Sequence, residues 1–326
     1  MAAKVKNLRP LAAWAGGETL TAPPAPTWVP SWKETVLLSR RSPISLPGTP
    51  RVRSMVAVLT LTAATAVVGA PSSGATVRHR LTGLEMVQES GKVSPYEART
   101  AHCPKGKQPV GGGFDLPEGH SVAASFPVAD SGWLVKARSD NGDTTPFEMT
   151  WYAMCATPSP GYRIIKTSGV VPNRHGVGME CWNDAPPYPH YEDMVNVGGE
   201  AKGPTAALTG ADMSYQPSRT YIRGFAGGAR TDSDTVEVDL YVICSENSDG
   251  SADWYKEERG SYLNGDGPTW TCPRGTSSVG VGFFSWEAFL RSSKPHATGK
   301  SDWKLTGVNP SGPGYEISGN LICERY

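Results

Sequence analysis

Six cysteines, all beyond residue 100, constrain this chain more than any other feature. They fall into three successive pairs: Cys103 and Cys155, Cys181 and Cys244, Cys272 and Cys323. Each pair sits in a recurring frame. Gly91, Gly169 and Gly260 stand at matching distances before the first cysteine. The first and third pairs open as Cys103-Pro104-Lys105-Gly106 and Cys272-Pro273-Arg274-Gly275, and continue to Gly111-Gly112-Gly113-Phe114 and Gly280-Val281-Gly282-Phe283. Pro127, Pro217 and Pro295 precede the closing cysteines at nearly equal distances, and Trp133 and Trp303 follow two of them. Such self-similarity marks an internal repeat, here of three copies.

The segments that end in the closing cysteines identify the building block. Phe147, Met149, Trp151, Ala153 and Cys155 alternate with more polar residues, including Glu148, Thr150 and Tyr152. The second copy reads Val236, Val238, Leu240, Val242, Cys244, and the third Tyr315, Ile317, Gly319, Leu321, Cys323. Period-two patterning belongs to a strand with one wet face, and it places each closing cysteine on the apolar side. Ala101, Met179 and Trp270, two residues before the opening cysteines, place those inward as well. Of the fifteen pairings that six cysteines allow, the repeat selects 103–155, 181–244 and 272–323. A module of about 75 residues has only a marginal core. Closing a loop of about 50 residues contributes ~4 kcal/mol in the chain-entropy model.

With 37 Gly and 28 Pro among 326 residues, the expected fold class is all-β, built from many short strands. The expected units are module 1 over 80–157, module 2 over 158–248 and module 3 over 249–326, each a small antiparallel sheet with one disulfide. Asn247 to Ser251 reads as a turn-rich linker. Two arrangements stay open: a β-prism-like body around a pseudo-threefold axis, or three small sandwiches in a row. Short linkers favour the compact one.

Val56 to Ala70 is an apolar run flanked by Arg51 and Arg53. It falls short of the ~20 residues a membrane span needs and fits the core of a signal peptide over 55–75, with small residues for cleavage after Ala70 or Ala75. Residues 1–54 show no usable periodicity. They read as a disordered or misassigned extension, with initiation expected at Val52 or Met55. The expectation is therefore a secreted protein, extracellular or envelope-associated, with no stable membrane span after cleavage. Paired cysteines suit such an oxidising location. The formal charge is zero, but residues 1–75 are basic, and the remainder holds 23 Lys+Arg against 29 Asp+Glu. A mildly acidic mature chain without a basic stripe does not suit nucleic acid as a partner.

The frame Cys-Pro-x-Gly-x4-Gly-x-Gly-Phe, then Trp, then a strand ending in Cys, resembles modules of uncharacterised secreted proteins of actinobacteria. It is more distantly similar to the vitelline membrane outer layer protein family, whose three Cys-Pro-x-Gly copies imply a β-prism. The middle copy departs from the frame, since Trp182-Asn183-Asp184 follows Cys181. Neither resemblance implies a catalytic residue.

No nucleophile elbow, His-Glu-x-x-His motif, phosphate loop or dinucleotide fingerprint occurs. The six histidines do not pair at metal-ligand spacing. Neither catalytic residues nor metal ligands nor a cofactor are expected. Glu148, Glu237 and Glu316 recur at one position of each copy, where a symmetric cation site competes with the simpler reading of a wet strand face. The sharpest functional hint is an insertion of nine residues in the second copy, within Trp182 to Asp193. Insertions in repeats map to loops that often face a ligand. Trp182, Tyr188, His190, Tyr191 and Asp193 combine rings that stack on a sugar with groups that bond its hydroxyls. The expected function is a non-enzymatic module that binds cell-wall or extracellular glycan. The alternatives are a secreted hydrolase with its site at a module interface, and an inhibitor or effector acting through the module 2 loop.

Overall fold

The computed structural model describes residues 81–183, 190–191, 193–216, 221–245, 255–296 and 301–325. The expectations for 1–54 and 55–75, the linker at 247–251 and Tyr188 lie outside them. Among the described residues no helix is long and apolar enough to cross a membrane.

The chain is all-β. The first copy supplies β1 (Thr82–Val93), β2 (Ala98–His102), β3 (Gln108–Asp115), β4 (His120–Val128), β5 (Gly132–Ser139) and β6 (Phe147–Thr157). The second supplies β7 (Arg163–Pro172), β8 (Gly176–Glu180), the short pair β9 (Trp182–Asn183) and β10 (His190–Tyr191), then β11 (Asp193–Lys202), β12 (Ala206–Gln216), β13 (Tyr221–Arg230) and β14 (Thr235–Ser245). The third supplies β15 (Tyr255–Leu263), β16 (Thr269–Thr271), β17 (Thr276–Phe284), β18 (Phe289–Pro295), β19 (Asp302–Val308) and β20 (Gly314–Arg325).

These strands form three six-stranded antiparallel sheets, and each sheet draws three strands from each of two copies. Sheet A runs β1-β6-β3-β18-β19-β16, sheet B β2-β5-β4-β11-β14-β7, and sheet C β15-β20-β17-β12-β13-β8. Every copy therefore splits into halves that join different neighbours in cyclic order. A row of independent sandwiches would keep each sheet within one copy, and none of the three sheets does so.

Each disulfide joins the two halves of its own copy, and so joins two sheets. Cys103 directly follows β2 of sheet B and bonds Cys155 on β6 of sheet A. Cys181, after β8, bonds Cys244 on β14, and Cys272, after β16, bonds Cys323 on β20. The loops closed span 52, 63 and 51 residues. Five of the six cysteines are buried within one core cluster to which all three sheets contribute, and Cys103 packs on its edge.

The repeat extends to single backbone features. Val110, Val195 and Val279 are bulged residues of β3, β11 and β17, each leaving its partner strand just before the closing cysteine. Tyr96, Arg174 and Gly265 all adopt the left-handed conformation at φ 65°, 66° and 83°, and their amides donate to Ala137, Gly228 and Gly307. Only one copy uses glycine there, although that region strains any residue with a side chain. Gly106 and Gly275 give Cys-Pro-x-Gly its meaning. Each has positive φ in a turn closed by Lys107 N to Pro104 O at 3.0 Å or Thr276 N to Pro273 O at 3.1 Å, the geometry that calls for glycine. Trp133 and Trp303 are buried and donate from Nε1 to Ser125 and Ser293 Oγ. A Cβ on Gly112 would lie 2.1 Å from the Trp133 ring, which explains that glycine.

Two alignments read from spacing need correction. Pro127 pairs with Trp133 and Pro295 with Trp303, but the matching residue of the second copy is Met213, which pairs with Gly224. Pro217 falls outside the described residues. The bulge register matches Gly113, Gly198 and Gly282, which lie ten, seventeen and ten residues past their cysteines, so the insertion is seven residues rather than nine.

Candidate functional site

The three outer sheet faces share a backbone but differ at the seam where two copies meet. On β3, β11 and β17 the residue facing outward at this seam is Asp115, Glu200 and Phe284 respectively. Asp115 is paired with Lys294 at 2.5 Å, and Glu200 with Lys136. These ion pairs place charge at the seams of sheets A and B, although sheet B also carries a stacked ring pair, Phe126 and Tyr241, at 4.1 Å. Sheet C breaks the pattern, because its seam carries an aromatic ring with glycines beside it.

Along that seam Gly176, Gly227, Gly210 and Phe284 lie in one cross-strand row. A Cβ on Gly210 would stand 2.5 Å from the Phe284 ring, and one on Gly176 would stand 2.4 Å from Phe225 Cζ. The glycines let both rings lie down on the sheet. Phe225 and Phe284 meet edge to face at 5.2 Å. Phe284 meets Trp286 at 4.6 Å, and Trp286 meets His175 at 6.0 Å. The result is a strip of four rings, His175, Trp286, Phe284 and Phe225, whose edge-to-face contacts suit the quadrupoles of aromatic rings. Trp286 remains 54% exposed.

The loop that carries Trp286 is tied down at both ends. Ser285 N donates to Thr209 O at 2.9 Å, and its hydroxyl donates to Glu316 O at 2.6 Å while accepting from Ala288 N at 3.0 Å. An exposed ring held this firmly loses little freedom on binding. Polar groups flank the strip. Asp212 pairs directly across from Phe225 and accepts from Asn320 Nδ2 at 2.7 Å. Asn320 is 2% exposed, and its Oδ1 has no hydrogen-bond partner among the described residues. Glu287, next to Trp286 in the chain, lines an open groove of about 390 Å³ with Tyr262, Leu263, Pro313, Tyr315 and Glu316. Burial first of all pushes the Tyr315 phenol up to about 12, so it stays neutral and donates to Asp266 O.

The residues expected from the inserted loop are placed as follows. Trp182 is 41% exposed, and its carbonyl accepts from Arg163 Nη2 at 2.9 Å. His190 pairs with Asn183 and Tyr191 with Trp182 in the small β9–β10 ladder, while Asp193 begins β11 opposite Ser245. Trp182 follows the end of β8, the edge strand that supplies Gly176 to the aromatic strip. Glu148, Glu237 and Glu316 are exposed on three different sheets and are not brought together. Among the described residues no group of three or more His, Cys, Asp or Glu side chains is placed to hold a metal ion.

Sequence reasoning missed the strip. One signal was available: Gly282-Phe283-Phe284 aligns with Gly113-Phe114-Asp115, so the third copy exchanges an acid for a ring. His175 and Phe225 offered none, since only the pairing of β8, β13, β12 and β17 brings them alongside.

No family model matches the chain, and no match is found among curated proteins.

Proposed function

We propose that this chain is an exported, non-enzymatic module that binds glycan chains of the cell wall or extracellular matrix, and that the outer face of sheet C is where it does so. The observation that carries this reading is the ring strip His175–Trp286–Phe284–Phe225 on a glycine floor, at the position where the other two sheets carry ion pairs. Sugar rings present axial C–H groups to aromatic faces and hydroxyls to groups such as Asp212 and the exposed Glu287, so apolar and polar contacts alternate as the strip requires. In this proposal Trp182, 41% exposed just past the end of β8, adds a further ring for the glycan. Three disulfides fit an oxidising location outside the cytoplasm.

The test is retention of the intact disulfide-bonded protein on immobilised polysaccharides, including cell-wall material. Trp286→Ala is expected to lower retention with an unchanged melting temperature, because the ring is more than half exposed. Trp182→Ala measures the contribution of the inserted loop. Wild-type protein that is retained on none of the resins overturns the proposal.

A further inference from the structure

We propose that a second site, in a pocket where the three copies meet, binds a small monoanionic organic carboxylate anchored by Arg291. The pocket has a volume of about 310 Å³, at the lower end of the range for small-molecule sites. Arg138 and Asp140 of the first copy line it, with Thr231 of the second and Phe289, Arg291 and Val308 of the third.

Its two arginines differ in what they already hold. Arg138 is 3% exposed and committed to the protein. It donates to Ser121 Oγ at 3.1 Å, Asp140 Oδ1 at 3.2 Å and Thr205 O, and lies 4.8 Å over the Phe289 ring. Arg291 has no such commitments. Its Nε is shielded from solvent with no hydrogen-bond partner, and it makes no ion pair among the described residues. It occupies the bulge of β18, where β4 carries Ala123 and β12 carries Thr209. A partly buried guanidinium without a counter-ion is costly, and an anion relieves that cost. The guanidinium fork suits a planar carboxylate, while Phe289, Val308 and Pro310 offer an apolar wall for a compact body. Glu118 is exposed at the same pocket and has no ion partner among the described residues. Its charge opposes a dianion more strongly than a monoanion, which is why the ligand class is a carboxylate and not a sulfate or phosphate.

Calorimetric titration of the intact protein with benzoate, acetate and inorganic sulfate tests this. Saturable benzoate binding is expected, tighter than acetate or sulfate. Arg291→Ala is expected to weaken it about tenfold or more, and Glu118→Gln to tighten it several-fold. Arg291→Lys, which keeps the charge but not the fork, is expected to fall between, and it serves if the alanine variant fails to fold. No saturable binding of any of the three anions overturns the proposal, as does benzoate affinity unaltered in both Arg291 variants. None of these residues belongs to the aromatic strip, so the outcome is independent of glycan retention.

Discussion

Asn196 Nδ2 donates to the backbone carbonyl of Val110 at 3.1 Å, from the second copy to the first, at a point where all three copies converge. The bulge register makes Gly111, Asn196 and Gly280 equivalent positions. A Cβ on Gly111 would lie 2.8 Å from Asn196 Nδ2 and 1.6 Å from Val279 O, and one on Gly280 would lie 2.6 Å from Asn196 Nδ2. One amide therefore fills the space that two glycines leave. Three identical residues would clash there or leave a hole, so the repeat departs from symmetry where its copies touch.

Asn196→Ala is expected to cost about 2 kcal/mol, because it strands the Val110 carbonyl in a buried site and opens a small cavity. Asn196→Gly is expected to cost more, since it adds backbone freedom to the unfolded chain. Urea unfolding with an unchanged m-value measures both.

Removing Cys272 and Cys323 together, as alanines, is expected to cost about 2–5 kcal/mol. The bond ties sheet A to sheet C, so the loss should loosen protection in both sheets. Amide exchange resolved along the chain checks this. Peptide mapping without reductant is expected to return 103–155, 181–244 and 272–323.

Asp239 sits buried on β14 beneath Lys166 at 2.6 Å and Lys202 at 3.0 Å, and accepts from Ser168 at 2.6 Å. Burial works to raise its carboxyl, but the bonds from Lys166, Ser168 and Lys202 outweigh it and hold the group below the usual aspartate range. A carboxyl depressed in the folded state contributes stability that is complete above its unfolded value of about 4 and is lost as pH falls through the folded value. Asp239→Asn is expected to cost about 1–2 kcal/mol at neutral pH, the lysines being partly solvated. It should also flatten the acid limb of stability, which unfolding measured between pH 2 and 6 would show.

Gly210→Val is expected to push the Phe284 ring off the sheet and lower glycan retention, because the added side chain occupies the ring's place. Phe284→Asp, which installs the residue of the first copy, is expected to abolish retention with a smaller effect on stability than a core substitution, the ring being only partly buried. Retention and melting temperature measured side by side separate the two effects.

Arg174→Gly is expected to be neutral or stabilising by roughly 0.5 kcal/mol, since relief of left-handed strain slightly exceeds the added entropy of the unfolded chain. The third copy already uses Gly265 at this position. Chemical unfolding of the single variant reads the difference.

By itself the sequence determined the all-β class, the threefold repeat and the cysteine pairing, because alternation of apolar residues and recurrence of motifs are properties of the linear chain. It assigned Phe147, Met149 and Trp151 to the core face, where the structure buries them. Alternation says which side of a strand faces inward, but nothing about which strand lies beside it. The exchange of half-copies among three sheets, the register that replaces Pro217 by Met213, and the joining of His175, Phe225, Phe284 and Trp286 were decided by long-range pairing alone. Backbone hydrogen bonds carry no side-chain label, so the partner of an edge is chosen by how whole faces pack. The two candidate sites stand where that packing joins one copy to the next.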